Sequence, residues 1–306
     1  MAACRSVFIV LLLGCQAPSR SQQQEPLISV DVNLVLLHAS VHDSRGRDVP
    51  SLDQNDFRLY EDGVLQNIRL FRREDAPVTL GLIIDHSGSM AGKLDDVTAA
   101  ARMLAQAGNP EDEMFVVNFN EQVFPGLPVD PHPTALAGLE AVIRGVPAQG
   151  ETALYDAILS GLNQVATGHW AKKVLVVISD GGDNASTHKL ADVTRLAEES
   201  SIVIYTIGIF DENDPEANPS VLKRLAGETG GEAFFPKQAT QTGEICNHIA
   251  RDIRSQYMIG FVSSSEKKSG AYRSLRLVAE AKGAGKLHVR TRSGYLAAGG
   301  QVNLAR

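Results

Sequence analysis

A mostly apolar run, Val78-Thr79-Leu80-Gly81-Leu82-Ile83-Ile84, ends in Asp85-His86-Ser87-Gly88-Ser89, which places a carboxylate and two hydroxyls at alternate positions. A charge at the end of a buried strand is costly unless a positive or hydrogen-bonding group meets it there. Serine hydroxyls beside a carboxylate are oxygen donors, so the chemistry this spacing suggests is capture of a hard divalent cation. A single turn cannot surround an ion, and two later loops offer further oxygens. Thr152, in Gly150-Glu151-Thr152-Ala153-Leu154, opens a helical segment that its hydroxyl is expected to cap. Asp180, in Ser179-Asp180-Gly181-Gly182-Asp183, follows the apolar run Val174 to Ile178 as Asp85 follows the first.

The elements that must position these loops alternate. Strands are predicted over 78–84, 114–119, 174–178, 202–209 and 232–235, with 122–127 as an antiparallel edge partner. Helices are predicted over 94–107, 134–144, 152–165, 189–199, 219–229 and 242–254. Near-continuous apolar strands belong to a parallel sheet covered on both faces, so the fold class is α/β with a doubly wound, mostly parallel sheet. Ligands of such sheets gather at the carboxyl ends of strands near the point where strand order reverses, where the loops of Asp85, Thr152 and Asp180 can converge.

Both flanks return to period two. Before the α/β domain (76–254), an N-terminal β segment (28–73) carries alternation from Ile28 to Val41, a turn at Asp43–Gly46, a strand at Phe57–Tyr60, the hairpin signal Asp62-Gly63 and a strand from Gln66 to Phe71. After it, a C-terminal β segment (255–297) carries strands over 257–262, 272–279 and 287–292. A β unit of about 45 residues is marginal alone, so the flanks are expected to pair into one accessory antiparallel β unit.

Asp85-x-Ser87-x-Ser89, Thr152 and Asp180, in this strand context, resemble the metal-ion-dependent adhesion site (MIDAS) of von Willebrand factor type A (VWA) domains, whose fold is Rossmann-like. The resemblance implies that Asp85, Ser87, Ser89, Thr152 and Asp180 ligate a divalent cation, Mg2+ by preference with Mn2+ or Ca2+ as substitutes. It also implies that an Asp or Glu of a protein partner replaces a water on the ion. Three neutral hydroxyls and two carboxylates hold such an ion without quenching its charge. Outside the domain, Asn33-Leu34-Val35, Asp56-Phe57 and Glu61-Asp62-Gly63, then Gln256-Tyr257 to Gly260 and Arg292-Ser293-Gly294-Tyr295, resemble a narrower group of VWA-related proteins common in acidobacteria.

The function expected is an adhesion-type binding module, with two alternatives: a scaffold subunit of an envelope complex with a structural or regulatory metal, and a metal-assisted hydrolase. Enzyme readings lack parts. The second acid of a dehalogenase-type site would fall at Ser87, and neither a Gly-x-Ser-x-Gly elbow nor a glycine-rich phosphate loop is present. No catalytic residue is therefore assigned. His86, at the variable position of the first loop, is expected on an exposed rim, its rival role being base to a serine. Asp183 and Asn184 are turn formers of the third loop or a partner rim, and Asp156 either supports the site or lies on a solvated helix face. Cys246 is either a small buried residue or a thiol paired with His248, although helix positions two apart do not face each other.

Arg5, the apolar stretch Val7–Leu13 and Leu12-Leu13-Gly14-Cys15 resemble a bacterial lipoprotein signal over 1–15, with Cys15 as the lipidated residue. An ordinary secretory signal cleaved nearby is the other reading, and both export the protein, to the periplasm or cell envelope or as a secreted form. The polar residues 16–27 are expected to be a tether. Three cysteines, two of them in the signal, exclude a disulfide scaffold. With 29 basic and 36 acidic residues, a net charge of −7 and no basic run, the composition argues against a nucleic-acid partner and leaves the lipid anchor as the membrane contact.

Overall fold

Among the described residues, the alternating pattern of the first flank builds β1 (Leu34–His42), β2 (Phe57–Glu61), β3 (Val64–Gln66) and β4 (Ile68–Arg72). The computed structural model describes residues 34–73, 76–129, 135–210, 214–238, 241–265 and 270–297; the signal segment with Cys15, the tether and the first residues of the flank lie outside them. β2 turns into β3 through Asp62 and Gly63, whose φ values of 48° and 82° are those of the tight hairpin that Asp-Gly favours. The stretch expected as one strand from Gln66 to Phe71 is divided instead, because β3 and β4 belong to different sheets.

The α/β region runs β5 (Val78–Asp85), α1 (Leu94–Ala107), β6 (Glu113–Phe119), β7 (Val123–Pro125), α2 (Ala135–Arg144), α3 (Leu154–Ala166), β8 (Lys172–Ser179), α4 (Leu190–Glu199), β9 (Val203–Gly208), α5 (Pro219–Thr229), β10 (Ala233–Phe234) and α6 (Thr242–Ser255). Strand order is β10-β9-β8-β5-β6-β7, parallel except for the edge strand β7. On one face, Leu80, Leu82 and Ile84 share a core with Val97 and Leu104 of α1, Ile143 of α2 and Ile249 of α6. On the other, Phe115, Val117 and Leu175 meet Ile158 of α3, Val193 of α4 and Leu225 of α5. Gly81 is required at the centre, since a Cβ there would lie 2.2 Å from the Phe115 ring. The chain leaves β5 toward β6 on one side and later returns to β8 on the other, so strand order reverses at the end of β5, where Asp85 stands.

The second flank supplies β11 (Tyr257–Val262), β12 (Tyr272–Ala279), β13 (His288–Thr291) and β14 (Gly294–Leu296). It interleaves with the first in two antiparallel sheets, β13-β1-β11-β4 and β14-β12-β2-β3. Neither flank completes a sheet alone. Phe57 and Leu59 share one core with Leu37, Tyr257, Phe261 and Leu277 across the two sheets. Among the described residues, no helix is long and apolar enough to cross a membrane.

A polar pin joins these sheets to the α/β region. Arg292, in the turn between β13 and β14, is buried and donates from its guanidinium to the carbonyls of Glu198 (2.7 Å) and Ser200 (2.9 Å) at the end of α4. Terminal helix carbonyls have no intrahelical partner, so the arginine satisfies groups that burial would otherwise leave costly. Arg292→Ala is expected to cost about 3 kcal/mol, read as a lower urea midpoint at unchanged slope. A wild-type midpoint would mean that water serves those carbonyls equally well.

Candidate metal centre

Asp85 is the last residue of β5 and is fully buried. Its Oδ1 accepts from the Ser87 N–H (2.8 Å) and its Oδ2 from the Ser179 hydroxyl (2.6 Å). Ser87 Oγ lies 3.1 Å from Ser89 Oγ, which donates to Asp180 Oδ2 at 2.5 Å, while Asp180 Oδ1 accepts from the Gly182 N–H at 2.8 Å. Oxygens of the first and third loops thus form one contiguous group. Gly88 is exposed and Ser89 half-buried, so the group opens to solvent there.

The second loop joins through its backbone. Thr152 does not cap α3 as expected: the helix begins at Leu154 with Ala153 at the N-cap, one residue too late for the hydroxyl to act. The Thr152 N–H donates to Asn184 Oδ1 (2.7 Å), and its carbonyl accepts from the N–H groups of Asn184 and Ala185, both at 3.0 Å. Third-loop residues meet the start of α3, where Asp183 Oδ1 and Ser186 Oγ accept from the Tyr155 N–H at 3.2 and 3.1 Å. Asp156 accepts from the N–H groups of Thr187 and His188; burial raises its pKa, but these bonds outweigh it and hold the carboxyl at about 2. Asp183, Asn184 and Asp156 therefore fasten the third loop to the second. The first loop is tied in by Gly88 N–H to the Gly150 carbonyl (3.0 Å) and Gln149 N–H to the His86 carbonyl (2.9 Å).

His86 is not on a rim. Its N–H extends the β5–β6 pairing by bonding to the Phe119 carbonyl (2.7 Å), and strand alternation turns the ring under the loop, where it is fully buried. Asn118 donates its amide to the Val142 carbonyl, so its Oδ1 faces His86 Nε2 at 3.0 Å and receives that proton. Burial lowers the imidazole pKa, so the ring is a neutral packing group rather than a base to a serine. Ser179, which holds Asp85 and accepts from the Gly181 N–H (3.0 Å), was not anticipated; its signal is a hydroxyl ending the apolar run of β8. Cys246 is buried between α6 and α1, with Sγ 3.5 Å from the Ala100 carbonyl, and burial pushes the thiol up to about 12. His248 turns to Glu232 (3.4 Å) instead.

Whether these residues suit a cation is decided by their charge and spacing. Among the described residues neither Asp85 nor Asp180 has a basic ion-pair partner, and burial, reinforced by the Asp180 charge, pushes the Asp85 carboxyl up to about 6. Two buried carboxylates without a counter-charge are an electrostatic deficit that a cation removes. Adjacent oxygens on an octahedral ion with bonds of about 2.1 Å lie about 3.0 Å apart. The Ser87–Ser89 hydroxyl separation of 3.1 Å agrees with that. The donor set fits a hard divalent ion.

The family model for the von Willebrand factor type A domain matches residues 80–248, from β5 into α6. The chain belongs to the VWA family. All five candidate ligands fall within the VWA match. An uncharacterized protein of Synechocystis sp. is 28% identical over 184 residues, 54% of this chain; the chain spans 40% of that relative. Among solved structures, a VWA protein from Catenulispora acidiphila superposes with a TM-score of 0.50 at 13% identity, over 85% of this chain and 73% of its own. Proximal thread matrix protein 1 of the mussel byssus, in a form with a zinc-occupied MIDAS motif, gives 0.51 at 15% identity, over 65% and 50%. At these identities the likeness is one of fold.

The raised Asp85 pKa has a definite sign. Its folded value lies above the unfolded value of about 3.9, so in ion-free protein the buried carboxyl costs stability as pH rises through that window and the cost is complete above about 6. A divalent ion needs the carboxylate and competes with the proton. Apparent Mg2+ affinity, followed by thermal shift, is expected to rise about tenfold between about pH 5 and about pH 7; a flat profile would exclude Asp85 as the titrating ligand. The thiol of Cys246 is expected to resist aromatic disulfide reagents at about pH 8 until the chain unfolds. The comparison is wild type against Cys246→Ala, and a rapid extra equivalent in native wild type would contradict its burial.

Proposed function

We propose that this VWA domain is an exported, divalent-metal-dependent binding module whose loop ion takes an Asp or Glu carboxylate from a protein partner. The observation that carries the reading is the meeting of Ser87, Ser89 and Asp180 oxygens at a solvent-open strand end, beside the buried Asp85. Asp85, Ser87, Ser89, Thr152 and Asp180 would hold the ion, Mg2+ by preference. When bound, the ion supplies an electrophilic point for an incoming carboxylate. The chain's residues supply its selectivity: with only two carboxylates in the donor set, the neutral hydroxyls complete it without adding negative charge that would repel a partner's acid. The half-buried Ser89 and exposed Gly88 set the approach side.

Export rests on the N-terminal pattern of Arg5, Val7–Leu13 and Cys15, the last supplying the lipid anchor. The acidic composition favours a protein partner over nucleic acid. Capture of a partner from envelope extract in Mg2+ is expected to fall at least about tenfold on chelation and in Asp85→Ala, in line with loss of a coordinate contact. Capture that survives both treatments would overturn the metal-bridged reading.

A further inference from the structure

Away from the loop site, a second group of ligating atoms lies where the accessory sheets meet α6. His42 ends β1, Asp48 follows in the next loop, and Asp252 projects from α6. One ligand atom from each lies within 4.8 Å of the others. His42 Nε2 is 3.1 Å from Asp48 Oδ1 and 3.9 Å from Asp252 Oδ1.

Two of these atoms are unspent. The Asp252 side chain is 0% exposed; its Oδ2 takes the Tyr205 hydroxyl and the Arg290 guanidinium, while its Oδ1 has no hydrogen-bond partner. His42 Nε2 is also shielded from solvent without a hydrogen bond, because its approach to Asp48 is close in distance but off the donor line. Closeness without alignment is what ligands of one ion show, since each directs its lone pair at the ion and not at its neighbour. Arg290 does not neutralise the group alone, because it also contacts Glu232, which pairs with His248.

We propose that His42, Asp48 and Asp252 form a second cation site, which takes a borderline first-row ion such as Zn2+ and staples the accessory sheet to α6. Ligands about 2.1 Å from one zinc ion lie about 3.4 Å apart, a spacing the 3.1 and 3.9 Å separations bracket. Imidazole nitrogen with carboxylate oxygen suits zinc better than magnesium, whereas the loop site offers oxygen alone. The Asp48 side chain is 30% exposed, so ion entry and a coordinated water fall on its side.

The test titrates Zn2+ into the full, untagged chain by calorimetry and thermal unfolding, with the loop site silenced in Asp85→Ala and, independently, saturated with Mg2+ in wild type. One equivalent of Zn2+ is expected to bind and raise the melting temperature in both settings. His42→Gln and Asp48→Asn, on partly exposed side chains, are expected to weaken it at least about tenfold, the loss of one ligand. Asp252 is left intact because it also serves Tyr205 and Arg290. The proposal fails if neither setting binds Zn2+, or if His42→Gln binds it as tightly as its parent. It fails equally if Zn2+ binds in both settings without raising the melting temperature, since the ion would then not staple the sheet to α6.

Discussion

Burial of the Asp85 carboxylate at the end of the central strand is the constraint around which the candidate metal centre is organised. Sheet order fixes the position, since β5 lies between β6 and β8 and strand order reverses at its carboxyl end. Hydrogen bonds from the Ser87 N–H and the Ser179 hydroxyl occupy both carboxylate oxygens but bring no positive charge. Such bonds return about 1 kcal/mol each, against several kcal/mol for desolvating an ion. The imbalance is tolerable for a group whose partner is a cation and hard to explain for one that serves packing alone.

A cation site also needs its donors held still, and loops are the most mobile parts of a fold. The third loop is bound to the start of α3 through Asp183, Asn184 and Ser186, and Asp156 on α3 returns the contact to Thr187 and His188. Gly88 to Gly150 and Gln149 to His86 close the remaining gap between first and second loops. Thr152 is thereby positioned from both sides through its backbone, and its hydroxyl takes no part in these bonds. The polar residues around the donors orient them, as supporting groups commonly do at metal sites.

Asp85, Ser87, Ser89 and Asp180 were legible in the sequence because their signal is local: a hydroxyl or carboxylate at the end of an apolar run needs no knowledge of neighbours. Helix α1 and strands β11 and β12 were legible for the same reason, their periodicity being unbroken. Ser179 could be valued only once β8 was known to lie beside β5. His86 was misplaced because its direction follows from one extra rung of pairing with β6. The division of β3 from β4 depends on strands of the distant second flank, and three-residue β14 is too short to show a period. What the sequence withheld was, in each case, a relation between segments far apart in the chain.

The junction between accessory sheets and VWA domain follows from that interleaving. Arg290 reaches Asp252 and Glu232, Arg292 reaches the end of α4, and Tyr205 donates to Asp252. An apolar seam of equal area would tolerate small slips of one surface over the other. Charged groups with directional partners do not, because any slip leaves a desolvated charge without its counterpart. A junction of this kind fixes one orientation of the sheets on the domain, and the unspent Asp252 oxygen lies inside it, where a further cation would add to the same constraint.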